Sequence, residues 1–214
     1  MLNFTSIPVT CFSENCTFIY SSETRRAAIC DPGGDFDVIR NKITELKLKP
    51  EQILLTHGHL DHIGAVRELI DLYQIPVYGP HEDDLFLINA IEKQSHMLRL
   101  PPAGEFKPEK FAKDRETINV AGEDFLVLHC PGHTPGHVVY YATESKFCLT
   151  GDVIFQSSIG RTDFPRGNYD DLISSIRNKI FSLPDDTILI PGHGPYTMVS
   201  EEKKYNPYLN GFDA

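Results

Sequence analysis

Seven side chains able to bind a metal ion stand at four places in the chain: His57, His59, Asp61 and His62 in THGHLDH, His133 in CPGHTPGH, Asp152 in TGD, and His193 in PGHG. The chain has nine histidines in 214 residues, and three of them fall between His57 and His62. Imidazole and carboxylate without thiolate suit zinc, iron or manganese. Seven donors exceed the roughly four that one tetrahedral zinc ion takes. Two divalent metal ions are therefore expected, zinc foremost, with iron or manganese as alternatives. In an extended segment His57, His59 and Asp61 project to one side, while His62 opens the following helix, so this stretch can serve two neighbouring sites.

Each residue alone has a plainer reading. Asp152 in TGDVIF could be a turn or helix-capping aspartate. His81, His96 and His129 are read as hydrogen-bonded structural residues, and His137 as a group that orients a ligand rather than one that coordinates. What lifts the seven above that reading is their position. His57, His133, Asp152 and His193 each come just after a predicted strand, and ligand sites in open α/β sheets gather beyond the carboxyl ends of strands.

The elements that must hold them follow from hydrophobic spacing. Strands are predicted at CTFIY, AAICD, QILLT, IPVYG, INV, FLVLH, HVVYYA, KFCLT and TILI, and helices at FDVIRNKITEL, HIGAVRELIDLY, HEDDLFLINAIEKQ and YDDLISSIRNKIF. Strands and helices mix in both halves, which predicts a layered α/β architecture within one domain spanning 1–214. A hydrophobic content of 41% supports a packed core. A formal net charge of −10 argues against a nucleic-acid binder, which needs clustered lysine and arginine, and against a membrane-surface role. No apolar run approaches the roughly 20 residues of a membrane span, and the opening MLNFTSIPVTCFSENC lacks the basic and apolar regions of an export signal, so a cytoplasmic location is expected. The five cysteines form no C-x-x-C pair and are read as reduced thiols, Cys130 as a small buried hydrophobe; the sequons at Asn3 and Asn15 then carry no glycan.

THGHLDH, PGHTPGH, TGD and PGHG, in this order, resemble the motif set of the metallo-β-lactamase fold superfamily over nearly the whole chain. The resemblance implies an αββα sandwich of two mixed sheets flanked by helices, with one metal held by His57, His59 and His133 and a second by Asp61, His62 and His193. Asp152 would bridge them opposite a hydroxide. GRTDFPRGN, Gly160 to Asn168, is similar to single-domain type II glyoxalases, hydroxyacylglutathione hydrolases. That likeness implies hydrolysis of a glutathione thioester such as S-lactoylglutathione by the bridging hydroxide, in methylglyoxal detoxification, with Asp61 as the catalytic group that orients the hydroxide and accepts its proton. The expected partner is a small glutathione-derived molecule, and oligomeric state is not legible.

Persulfide dioxygenases are the main rival, since they share GRTDF and use one iron held by the equivalents of His57, His133 and Asp152. A noncatalytic metal or redox-sensing protein would favour a closed, cysteine-bearing site. Zinc β-lactamases commonly carry cysteine where Asp152 stands. Longer type II glyoxalases grip glutathione with a C-terminal helical domain, whereas a short stretch follows His193 here. Substrate contacts are therefore sought elsewhere. One candidate is the loop Ser95 to Glu116, read either as a lid or as a solvated connector. The other is Arg161, whose family counterpart, a lysine, meets the glycine carboxylate of glutathione; an ion pair with Asp163 is the alternative.

Overall fold

The computed structural model describes residues 1–210. Its first sheet runs in the order β1 (Leu2–Val9), β2 (Glu14–Ser21), β3 (Arg26–Cys30), β4 (Lys49–Leu54), β5 (Val77–Gly79) and β6 (Lys110–Phe111). The second contains β7 (Thr117–Val120), β8 (Glu123–His129), β9 (Val138–Ala142), β10 (Phe147–Gly151), β13 (Ile188–Pro191) and β14 (Thr197–Met198), in the order β14-β13-β10-β9-β8-β7. A hairpin of β11 (Ile154–Phe155) and β12 (Ser158–Ile159) follows Asp152. Both large sheets are mixed: β3 to β6 pair in parallel, as do β10 and β13, and the remaining pairs are antiparallel.

The strands read as near-continuous apolar runs because both faces of each sheet are covered. Alternate side chains enter different cores. Phe18, Ala27, Ile29 and Ile53 point to one side, against α1 (Phe36–Glu45), α2 (Leu60–Ile63) and α3 (Val66–Tyr73), through Ile39, Ile43, Ile63 and Leu69. Their neighbours Ile19, Ala28, Cys30 and Leu54 point to the other side and meet Phe125, Val127, Tyr140, Phe147 and Leu149 of the second sheet. The outer face of that sheet, with Leu128, Val139, Cys148 and Leu189, packs on Leu172 of α6 (Tyr169–Ser175), on Ile176 and Ile180 just beyond it, and on Val199 of α7 (Val199–Tyr205). Three cores between four layers make the expected αββα sandwich. Tyr140 ties the sheets together, its buried hydroxyl donating to the Leu55 carbonyl at 2.8 Å.

The helix predicted over HIGAVRELIDLY is broken in two, and its first part begins before His62. A Cβ on Gly64 would lie 2.3 Å from the Gly33 carbonyl oxygen, so the chain changes direction there to pass the turn after β3. HEDDLFLINAIEKQ likewise divides into a short 3₁₀ turn (Glu82–Asp84), α4 (Leu85–Ile88) and α5 (Ile91–Leu98). The segment from Ser95 to Glu116 is largely exposed but anchored at several points. It completes α5, buries Ala103, packs Phe106 against the helix-side core and supplies β6 to the sheet. Among the described residues no helix is long and apolar enough to cross a membrane.

Candidate metal centre

Strands β4, β8, β10 and β13 end on the same edge of the sandwich, and the residue runs that follow them meet there. One donor atom each from His57, His59 and His133 lie within 4.8 Å of one another, and so do those of Asp61, His62 and His193. Asp152 stands between the two groups. Its Oδ1 is 3.5 Å from His62 Nε2, and its Oδ2 is 3.6 Å from His133 Nε2 and 3.7 Å from His193 Nε2. On the second side Asp61 Oδ2 lies 3.5 Å from His193 Nε2. All seven sequence-predicted residues are thus brought to one place.

The histidines are aimed by what holds their other nitrogen. His133 Nδ1 donates to the Arg161 carbonyl at 2.7 Å, and His193 Nδ1 to the Phe12 carbonyl at 3.2 Å. His62 Nδ1 donates to Asp31 Oδ2 at 3.0 Å. Thr56 Oγ1 gives its own proton to Asp31 Oδ2 at 2.6 Å, so it accepts from His57 Nδ1 at 3.0 Å. Carbonyl and carboxylate oxygens only accept, which puts the proton of a neutral ring on Nδ1 and turns the Nε2 lone pair inward. His59 is reversed: its Nδ1 faces His133 Nε2 at 3.0 Å. His57 Nε2, His62 Nε2 and Asp152 Oδ1 are buried without a hydrogen-bond partner among the described residues. Buried polar atoms left this way are costly unless a cation is their partner, and the donor set therefore fits a metal.

Electrostatics favour the metal-binding form at most of the seven residues. At His62 and His193 burial is outweighed by carboxylates, Asp152, Asp31 and Asp61 at the first ring and Asp61 and Asp152 at the second, which raise the proton affinity, so an ion displaces a proton from these two rings. Burial, reinforced by the surrounding imidazoles, holds His57 far below the ordinary histidine range and His59 at about 3. Both rings stay neutral. Burial opposes ionisation of Asp152, but His62, His133 and His193 pull its carboxyl well below the usual range; Asp61 is drawn down against burial by His193 and His62. Ionised carboxylates and neutral imidazoles are the forms that bind metal.

Sequence reasoning missed the groups behind the ligands. Asp31 receives Thr56, both by its backbone N–H and by its hydroxyl, together with His62. Glu14 is fully buried 3.8 Å from His62 Nδ1, with burial raising its carboxyl far above the ordinary range. Asp84 accepts from Gly58 N–H at 3.0 Å, Thr134 Oγ1 at 2.7 Å and Gly136 N–H at 2.6 Å, and so fastens the His57–His59 and His133–His137 segments together. Asn15 donates its amide to the Pro191 and Gly194 carbonyls, steadying the turn that carries His193. His137 has the orienting place expected of it: its Nε2 accepts from the Asp152 N–H at 3.0 Å, and its ring stacks on His57. Gly192 is needed for space, since a Cβ there would lie 2.4 Å from Asp152 Oδ1.

At the rim Arg161 forms a forked ion pair with Asp163 at 2.8 and 2.9 Å. Its guanidinium also covers the Phe164 ring at 4.6 Å, and that ring lies against His59 and His133. The side chain therefore borders the centre, while the main chain of the same residue orients His133.

The sequence profile described as the metallo-beta-lactamase superfamily matches residues 9–193. The chain belongs to that superfamily. A Haemophilus influenzae relative named hydroxyacylglutathione hydrolase GloC is 46% identical over 98% of this chain and 99% of its own. Among solved metallo-beta-lactamase-fold structures, BLEG-1, described as a B3 metallo-beta-lactamase, superposes with a TM-score of 0.91 at 37% identity, covering 98% of this chain and all of its own. TTHA1623, solved in a di-iron-bound form, gives a TM-score of 0.87 at 33% identity, covering 96% of this chain and all of its own. The superfamily is one of metal-dependent hydrolases, and the histidine and aspartate clusters of this chain could hold a metal ion.

Proposed function

We propose that the protein is a single-domain, cytoplasmic hydrolase of a glutathione thioester, S-lactoylglutathione being the first candidate, and that it serves methylglyoxal detoxification. The observation that carries this reading is Asp152 lying between two complete three-residue donor groups. The likeness to the Haemophilus hydrolase supports the substrate class.

In this reading His57, His59 and His133 would hold one divalent ion and Asp61, His62 and His193 a second, with Asp152 shared between them. Zinc is the first choice and iron or manganese the alternatives. Two such ions, when bound, lower the pKa of a shared water and polarise a carbonyl oxygen. Asp61, whose Oδ2 lies 3.5 Å from His193 Nε2, orients the attacking water and accepts its proton. The oxygen bonds to the acyl carbon, the carbon–sulfur bond breaks, and glutathione leaves as thiolate beside the free hydroxy acid. A thiolate with a reference pKa of roughly 8.5 leaves without a strong acid, so this step requires no dedicated proton donor. Arg161, released from Asp163, pairs with the glycine carboxylate of the tripeptide, and Phe164 packs along the acyl group. The substrate is a small molecule; the net charge of −10 disfavours a polyanionic nucleic-acid partner.

The deciding experiment combines elemental analysis, S-lactoylglutathione hydrolysis and oxygen uptake with glutathione persulfide on one purified sample. Two metals per chain with thioester cleavage is the expected result. One iron with persulfide-dependent oxygen consumption and no thioester cleavage would replace this reading with that of a dioxygenase.

A further inference from the structure

A second group of metal-type donors lies outside the centre, where β8 leads into the His133 segment. His81, Asp83 and His129 each offer one donor atom, all within 4.8 Å of one another. His129 donates its Nε2 proton to the Pro135 carbonyl at 2.8 Å, which leaves the Nδ1 lone pair available. Its ring stacks on that of His81 with centroids 4.2 Å apart and planes at 15°. His81 Nδ1 in turn lies 3.1 Å from Asp83 Oδ2 and takes only a long 3.3 Å bond from the Asp83 N–H. Asp83 is exposed and both rings are part-exposed, so an ion has a way in. The nearby cations are already engaged: Lys179 with Asp114 and the His129 carbonyl, Arg166 with the Asp83 carbonyl.

We infer that His81, Asp83 and His129 form a peripheral site for a divalent transition-metal ion, zinc being the probe of choice, separate from the centre around Asp152. Two imidazoles and one carboxylate with water in the fourth position make an open zinc set. Binding asks the stacked rings to turn until their in-plane lone pairs converge, a rotamer change that part-exposed side chains can make. Burial lowers the proton affinity of His129, so little proton competition opposes the ion near neutral pH.

The site has a route to the centre. Asp83 is followed by Asp84, whose carboxylate holds Gly58, Thr134 and Gly136 on the inner side of the same turn, and the His81 N–H donates to the Gly136 carbonyl at 2.9 Å. An ion gripping the outer side therefore stiffens the turn that fastens the two histidine segments. It binds the folded chain alone and must raise the melting temperature with concentration.

The test uses protein already carrying its full complement of central metal. Zinc is added, uptake is followed by titration calorimetry, and melting is recorded alongside. The expected result is one further equivalent bound, with a melting temperature that climbs with free zinc. Asp83→Ala and His129→Ala should each weaken that uptake at least about tenfold and abolish the climb, while central metal content and hydrolysis stay unchanged. Asp83 is exposed, so its variant folds whatever happens to the others. No further equivalent would mean that the two rings merely stack. A further equivalent indifferent to both substitutions would place the ion elsewhere. Either outcome overturns the inference.

Discussion

Asp84→Asn is the substitution that best separates positioning from stability. The amide keeps the shape of the side chain but replaces one acceptor oxygen with a donor. With its oxygen turned toward Gly58 and Thr134, its NH₂ faces the Gly136 N–H, and one buried donor is orphaned at a cost of about 1–3 kcal/mol. An opposite effect is of similar size. Burial pushes the Asp84 carboxyl up to about 6 despite its three hydrogen bonds, against roughly 4 in the unfolded chain. About two pH units correspond to about 3 kcal/mol that the ionised form costs the fold at neutral pH, and the amide avoids that cost. The two effects nearly cancel. The melting temperature of metal-depleted protein should therefore move by only a few degrees, at about 2–4 °C per kcal/mol for a chain of this size.

Metal affinity has no such compensation, because it reads the positions of the two segments that Asp84 holds. Chelator competition should show about 10- to 100-fold weaker binding. The pH dependence carries a sign of its own. The folded chain binds the Asp84 proton up to about pH 6 and the unfolded chain only to about 4, so the stability this group gives is greatest below pH 4 and is lost as the pH rises to 6. The wild type should lose stability across that window relative to the amide variant and run parallel to it above. A variant with native metal affinity, or one whose stability tracks the wild type from pH 4 to 7, would refute the assignment.

Asp152→Ala should lose both metals or nearly all activity, since its two carboxylate oxygens lie between the two donor groups; full activity at full metal loading would refute the bridging role. Arg161→Ala should lower kcat/KM for S-lactoylglutathione by about 10- to 100-fold, the worth of a charge-assisted hydrogen bond, and barely affect a thioester lacking the glycine carboxylate. Metal content should be unchanged, because the main-chain carbonyl of residue 161 orients His133, and melting should be unchanged, because the pair with Asp163 is exposed. Equal losses on both substrates would remove Arg161 from the substrate site. A thiol reagent should label Cys11 alone in the native protein, since the other four cysteines are buried and burial holds Cys130 at about 12; rapid labelling of Cys130 would contradict this packing.

What was legible in the sequence and what was not divides along a physical line. Interior strands could be read because both of their faces are apolar, as in TFIY and VVYYA, and the histidine motifs could be read because each follows such a strand within a few residues. β1 was missed because Asn3, Thr5, Ser6 and Pro8 interrupt its pattern on a half-buried edge. α7 was missed because only Val199 and Glu202 of its seven residues are buried. The helix breaks at Gly64 and Asn89 come from packing: the first is imposed by the Gly33 carbonyl, a contact of residues about thirty positions apart that no local window contains. The same separation hides the supports of the centre. Asp31 and Glu14 are lone acids in unrelated segments and Asp84 ends a short acidic run, and such acids in a sequence are most often solvated surface charges. HEDDLF nevertheless holds a usable signal. Two adjacent aspartates enter a short turn before an apolar helical run, and such a turn can place neighbouring side chains on its inner and outer sides. Asp83 stays exposed while Asp84 is wholly buried, and the neighbouring carboxylates take different tasks because one lies on each side of the same short turn.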